Sequence, residues 1–198
     1  MTARHGTPLD VPHDVLRAAL GQPARDYFRA ILPDDLEQLA DEVHETATAH
    51  EVAAMRDGGE GVLFGGVLAT LDALRGRGLR LACISNAQRP YFRAALEFTG
   101  LGERFDFTEC QEELQAGALR PYKTAMLRRA LDALGLDAAS AVMVGDREED
   151  IASGREVGCR TVGARFGFGS AAELERADGK IDRFGELDAL VAGWRAET

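Results

Sequence analysis

The chain has 198 residues, with 23 basic and 33 acidic side chains and a formal net charge of −10. That length holds one domain, or one core with a small insertion. With 45% hydrophobic and 28% charged residues, the composition is globular rather than disordered or fibrous. The acidic balance excludes a general nucleic-acid binder, which neutralises phosphates with Lys and Arg, and speaks against docking on an anionic membrane. Cys83, Cys110 and Cys159 form no CxxC pair, so neither a zinc site nor a disulfide framework is indicated. A reducing, cytoplasmic setting is expected. The first residues carry no apolar secretion segment, and no apolar run approaches the roughly 18 residues of a membrane span.

Residues 1–60 are expected to form a helical cap, with the first 57 reading as helix only. Val15, Leu16, Ala19 and Leu20 mark a first helix closed by Gly21. A second starts at Pro23, with Tyr27, Phe28, Ile31 and Leu32 on one side, and ends near Pro33. A third runs from Asp34 to about Met55, and the glycine-rich stretch 56–61 is a break. From residue 61 to 198 strands and helices alternate. Strands are expected at 79–84, 104–108, 141–144, 160–164 and 180–182. Helices are expected at 67–74, 88–98, 124–134, 149–157, 171–177 and from 186 to about 194. This alternation predicts a parallel sheet covered on both faces, a three-layer α/β core.

In such a sheet, ligands bind beyond the carboxyl ends of the strands. Ser85 and Asn86 follow the first strand. Gly145 and Asp146 follow the strand at 141–144, with Asp150 four residues on, and Lys123 opens a helix between them. A hydroxyl and a backbone amide can hold phosphoryl oxygens, a lysine can neutralise their charge, and carboxylates are hard-oxygen ligands for Mg²⁺.

In this order the pieces resemble the haloacid dehalogenase superfamily, in particular its phosphoglycolate-phosphatase-like branch. Ile84-Ser85-Asn86 matches the second motif, and Arg120-Pro-Tyr-Lys123 resembles the third, with Lys123 preferred over Arg120 as its lysine. Val144-Gly-Asp146-Arg-Glu-Glu-Asp150 matches the fourth, G-D-x-x-x-D. The C-terminal block Ala152–Gly163, Phe166–Ser170 and Ala171–Leu174 is similar to the family nearly throughout. The resemblance implies a Rossmann-like core with a small helical cap. It also implies hydrolysis of a small phosphorylated metabolite, with Ser85, Asn86 and Lys123 on the phosphoryl group or on inorganic phosphate. Asp146 and Asp150 are then the Mg²⁺ side, with Asp150 supporting the metal or Lys123.

The family's first motif, D-x-D-x-T, is absent from the sequence. Its first Asp is the nucleophile in the family, and its second the acid and base. Asp106 and Thr108 reproduce half of the pattern, in a strand where the family carries Phe-Asp as structure. The expectation is therefore a chain inactive as written, with weak or no Mg²⁺ affinity, or else a non-catalytic binding or interaction protein. By resemblance the missing strand lies between the strands ending at Ser85 and Asp146. Four accounts follow: a longer natural chain, a strand donated by a partner or a second copy, direct closure of the two flanking strands, or Gly61–Phe64 entering the gap. His44 and His50, six apart, stand about 120° out of register on a helix and are read as solvated cap surface rather than a zinc pair. Glu148 and Glu149 are read as solvated.

Overall fold

The computed structural model describes residues 11–22, 24–58, 63–113 and 122–196. Three helices come first: α1 (His13–Ala19), α2 (Ala24–Ile31) and α3 (Ala40–Arg56), with a 3-10 stretch over Asp34–Leu39 as the approach to α3. Phe28, Leu32, Leu39, Ala40 and Val43 form their small apolar cluster. The alternating part follows as α4 (Val67–Gly76), β1 (Ala82–Ser85), α5 (Arg89–Phe98), β2 (Phe107–Cys110) and α6 (Tyr122–Leu134). It continues with β3 (Val142–Gly145), α7 (Glu148–Val157), β4 (Arg160–Ala164), β5 (Gly179–Ile181) and α8 (Leu187–Ala196).

All strand pairs among the described residues are parallel. Side chains alternate across each strand, and here they split between two helical layers. Val142 and Val144 join Leu74, Val162, Ile181 and Val191 in the cluster under α4 and α8. Met143 packs with Leu127, Leu131 and Ile84 under α6 and α7. This is the expected three-layer α/β arrangement.

Among the described residues the sheet comes in two pieces. β1 pairs only with β2, and β3-β4-β5 form a second sheet. Direct closure of the flanking strands is therefore not what the chain does. The pieces are joined by side chains and helices instead: Ile84 of β1 and Met143 of β3 share one cluster, and α6 packs on β1, β2 and α7.

Three expected elements are corrected. The strand expected at 79–84 forms only over Ala82–Ser85. Leu79 and Leu81 are apolar because they pack against the cluster under α4 and α8, while the Leu81 N–H is taken by Asp106 Oδ2 at 2.8 Å. The strand expected at 104–108 lies at Phe107–Cys110, because Gly102–Arg104 coils into a 3-10 turn tied by Arg104 to Asp72. The helix expected at 171–177 is a run of turns. Its backbone closes only i→i−3 bonds, Glu175 N–H to Ala172 and Ala177 N–H to Leu174, pinned by the buried Leu174.

Thr161 in β4 is fully buried and gives its N–H (2.8 Å) and hydroxyl (2.7 Å) to Asp178 Oδ2. The Thr161 hydroxyl is the main cause holding the Asp178 carboxyl below its usual range, against the opposing effect of burial; the Thr161 N–H and Arg155 add to the lowering. A carboxyl depressed in the folded state stabilises above its unfolded pKa, near ~4, and loses that contribution as pH falls through the folded value. Asp178→Ala strands the buried Thr161 N–H and is expected to cost about 1–3 kcal/mol. Denaturant midpoints measured from pH 7 downward should fall less steeply for the variant than for the parent.

Candidate phosphate site

Four segments meet at the carboxyl ends of β1 and β3. Ser85 ends β1, half-buried, and its Oγ accepts the Ala87 N–H at 3.1 Å, closing a tight turn. Asn86 is 6% exposed. Its Nδ2 donates to the Gly21 carbonyl at 3.0 Å and to Glu149 Oε2 at 2.9 Å. Two acceptors on one nitrogen fix the amide's orientation, and Oδ1 is left buried without a hydrogen-bond partner. The strand-end loop is thus fastened to the turn after α1 on one side and to the first turn of α7 on the other.

Lys123, second residue of α6, donates to Asp150 Oδ1 at 2.5 Å. Asp150 is 3% exposed, and its Oδ2 accepts the backbone N–H groups of Asp146 and Arg147, both at 3.1 Å. As the third residue of α7, Asp150 caps that helix, where a carboxylate also meets the positive end of the helix dipole. Helices α6 and α7 are zipped along their length, Thr124 Oγ1 reaching Ser153 (3.2 Å) and Glu156 (3.1 Å), and Arg128 reaching Glu156 (3.1 Å). That zipping aims Lys123 at Asp150. Burial acts to pull the Lys123 pKa down, but Asp150, with Glu149 and Asp146 behind it, outweighs burial and the net shift is upward. The lysine is an ammonium at neutral pH.

Asp146 Oδ2 accepts the Phe168 N–H at 2.7 Å, so the loop after β4 wraps the carboxylate. Arg147, next in chain, pairs with Glu173 at 2.9 Å and donates to the Arg17 carbonyl at 3.3 Å. Cys83, one residue before Ile84, is no alternative nucleophile: burial pushes its thiol up to about 11, with Lys123 only partly opposing. Thr108 belongs to β2, and Asp106, just ahead of that strand's first residue, binds Leu81 N–H and Arg80 at the opposite end of the strand from Ser85. They form no part of this site.

Mg²⁺ takes near-octahedral oxygen ligation. Asp150 has one oxygen on Lys123 and the other on two amides. Asp146 retains Oδ1. Among the described residues no three His, Cys, Asp or Glu side chains converge on a point. These residues alone do not fit a resident Mg²⁺ held by protein carboxylates.

Several expectations shift here. Glu149 is not merely solvated, since it holds Asn86. His44 is buried at 4% exposure, not on a solvated surface. Its Nδ1 accepts from Gln88 Nε2 at 2.6 Å, while Thr48 Oγ1 donates to Gln88 Oε1 at 2.7 Å. Arg120 lies outside the described residues, as do Gly61 and Val62. Gln88, His44 and Thr48 had no sequence signal: two polar residues one helical turn apart and a third 40 positions on show nothing until folded.

The fold and this strand-end arrangement define a Rossmann-like α/β hydrolase class. The chain belongs to the haloacid dehalogenase-like hydrolase family, whose model matches residues 2–158. It is 32% identical over 197 residues to a phosphoglycolate phosphatase of Cupriavidus necator, covering 96% of this chain and 82% of that protein. It is 31% identical over 167 residues to a phosphoglycolate phosphatase of Pectobacterium atrosepticum, covering 82% and 70%. Among solved structures, CbbY from Rhodobacter sphaeroides in complex with phosphate matches with a TM-score of 0.78 at 22% identity, covering 94% of this chain and 84% of that one. A predicted phosphoglycolate phosphatase from Haemophilus somnus matches at 0.77 and 18%, covering 92% and 84%. No helix among the described residues is long and apolar enough to cross a membrane.

Proposed function

We propose that the chain carries the phosphoryl-binding half of a phosphomonoester phosphatase site, for a small phosphorylated metabolite of the phosphoglycolate kind. The observation that carries this reading is the convergence of the Ser85–Asn86 turn, the Lys123–Asp150 pair and Asp146 at one end of β1 and β3. The named activities of the two phosphoglycolate phosphatase relatives supply the substrate class. Ser85 Oγ–H donates to a phosphoryl oxygen, and Lys123 supplies positive charge. Asn86 contributes through its backbone N–H, because its side-chain nitrogen is engaged by Gly21 and Glu149. Asp150 holds Lys123, and Asp146 offers toward a cation the carboxylate oxygen that no described residue engages. The cap is assigned to residues 1–60 and the core to 61–198.

Hydrolysis in this reading needs a carboxylate nucleophile that the sequence does not supply as D-x-D-x-T. In this reading the protein therefore binds phosphate and phosphomonoesters without turning them over. The two-part sheet favours a second reading: among the described residues β1 and β3 each have an edge with no strand on it, to which a strand from a partner or a second copy can add, making the protein an interaction module. The test is an assay of 2-phosphoglycolate with Mg²⁺, parent against Asp146→Asn. No release above the buffer rate is expected from either. Magnesium-dependent turnover that Asp146→Asn removes would show a working phosphatase and overturn the non-catalytic part.

A further inference from the structure

One buried polar link between the helical cap and the core has no place in the phosphate-holding set described above. His44 and Thr48 stand i, i+4 on α3, so both face the same side of the helix. Both are buried, at 4% and 6% exposure. They close on the two ends of a single carboxamide, that of Gln88: Thr48 donates to Oε1 and Nε2 donates to His44. The His44 ring is fixed on its other side by Phe28, ring centroids 5.1 Å apart, and Phe28 by Tyr27 at 5.0 Å. Gln88 is the residue before α5, two after Asn86 and three after Ser85, and its carbonyl accepts the first intrahelical bond of α5, from Phe92 at 2.8 Å. Asn86 in turn grips the Gly21 carbonyl between α1 and α2. The short segment Ser85–Gln88 is therefore clasped by the cap at two of its four residues.

We propose that Gln88 is a positioning residue through which the cap holds the Ser85–Asn86 turn in phosphoryl-binding geometry, with His44 and Thr48 as its anchors. The proposal rests on the reading that this turn binds phosphoryl groups. A dihedral change in so short a segment moves the Ser85 hydroxyl and the Asn86 amide together, so freeing Gln88 loosens the turn. Coupling is reciprocal: a phosphoryl ligand that fixes the turn also fixes Gln88, and through it α3. Cap seating and ligand binding are then one equilibrium, although neither His44 nor Thr48 touches the ligand.

The experiment is amide hydrogen exchange of the full chain with and without saturating inorganic phosphate, alongside the phosphate Kd. It compares the parent with Gln88→Leu, Thr48→Val and Ser85→Ala. Thr48→Val preserves shape and helix packing, and keeps the test informative if Gln88→Leu folds poorly. In the parent, phosphate is expected to slow exchange in α3. In Gln88→Leu the Kd rises about tenfold, within the ordinary range of such couplings, and the ligand-induced protection of α3 is lost; Thr48→Val moves both readouts the same way by less. A purely structural role would raise exchange in α3 without changing either the Kd or the ligand-induced protection, and that result overturns the proposal alone, provided Ser85→Ala still weakens binding. A parent that binds no phosphate overturns both the proposal and the reading beneath it.

Discussion

Asp150→Ala is expected to be the most damaging single substitution in the core, with a loss of about 3–5 kcal/mol of folding stability. Three groups depend on that carboxylate: the Lys123 ammonium and the N–H groups of Asp146 and Arg147. Removing it leaves a buried positive charge without its counter-ion and two amides without their acceptor. Lys123→Met should cost less, because the remaining carboxylate keeps both amides. Its loss separates the pair's electrostatic part from the capping part. The raised lysine pKa sets the sign of the alkaline limb. A folded value above the unfolded ~10.5 means the contribution is present at neutral pH and is lost as pH rises through the folded value. Urea midpoints of the parent and both variants, at pH 7 and across the alkaline range, check each point. A midpoint for Asp150→Ala within error of the parent's would contradict the assignment of Asp150 as the site's anchor.

The second large effect is expected at Gly169. A Cβ placed there would run into the Asp146 carbonyl oxygen, a backbone atom that no side-chain rotation can move aside. At Gly167, two residues earlier, it would meet the Asp146 carboxylate. The loop after β4 carries these glycines so that it can close over Asp146 and bring the Phe168 N–H to it. Gly169→Ala is expected to cost about 3 kcal/mol, at the upper end of ordinary overpacking. It should also push the Asp146 backbone away from Asp150. Gly193→Ala serves as the control, because its Cβ meets nothing within 4 Å. Thermal unfolding of the two variants should differ by several degrees in Tm. Equal Tm values would show that the loop is looser than described.

Much of this site was legible in the sequence because parallel sheets place ligands at strand ends. The apolar runs before Ser85 and Asp146 read as strands, which makes the residues after them candidates, and the spacing Asp146–Asp150 puts the second carboxylate in the first turn of a helix. Strand ends were less legible. Leu79 and Leu81 are as apolar as a strand, but they fill space beneath α4 and α8 without joining a ladder. The turn run 171–177 has helical composition, yet its chain is bound by i→i−3 contacts around Leu174. Glu149 read as a surface charge because nothing local distinguishes it from Glu148; only the approach of Asn86, 63 positions earlier, gives it a role. The expectation that the sheet would be interrupted between the strands ending at Ser85 and Asp146 came from a missing motif. Among the described residues the interruption lies there, with β1 and β3 in separate sheets.

The central claim is that a phosphoryl group binds at the carboxyl ends of β1 and β3. It is tested most directly by calorimetric titration of the 198-residue chain with inorganic phosphate, parent against Ser85→Ala. The account predicts saturable binding at one site in the parent, weakened at least about tenfold by loss of the hydroxyl, the effect of roughly one charge-assisted hydrogen bond. Binding of equal strength in both proteins, or none in the parent, would contradict it.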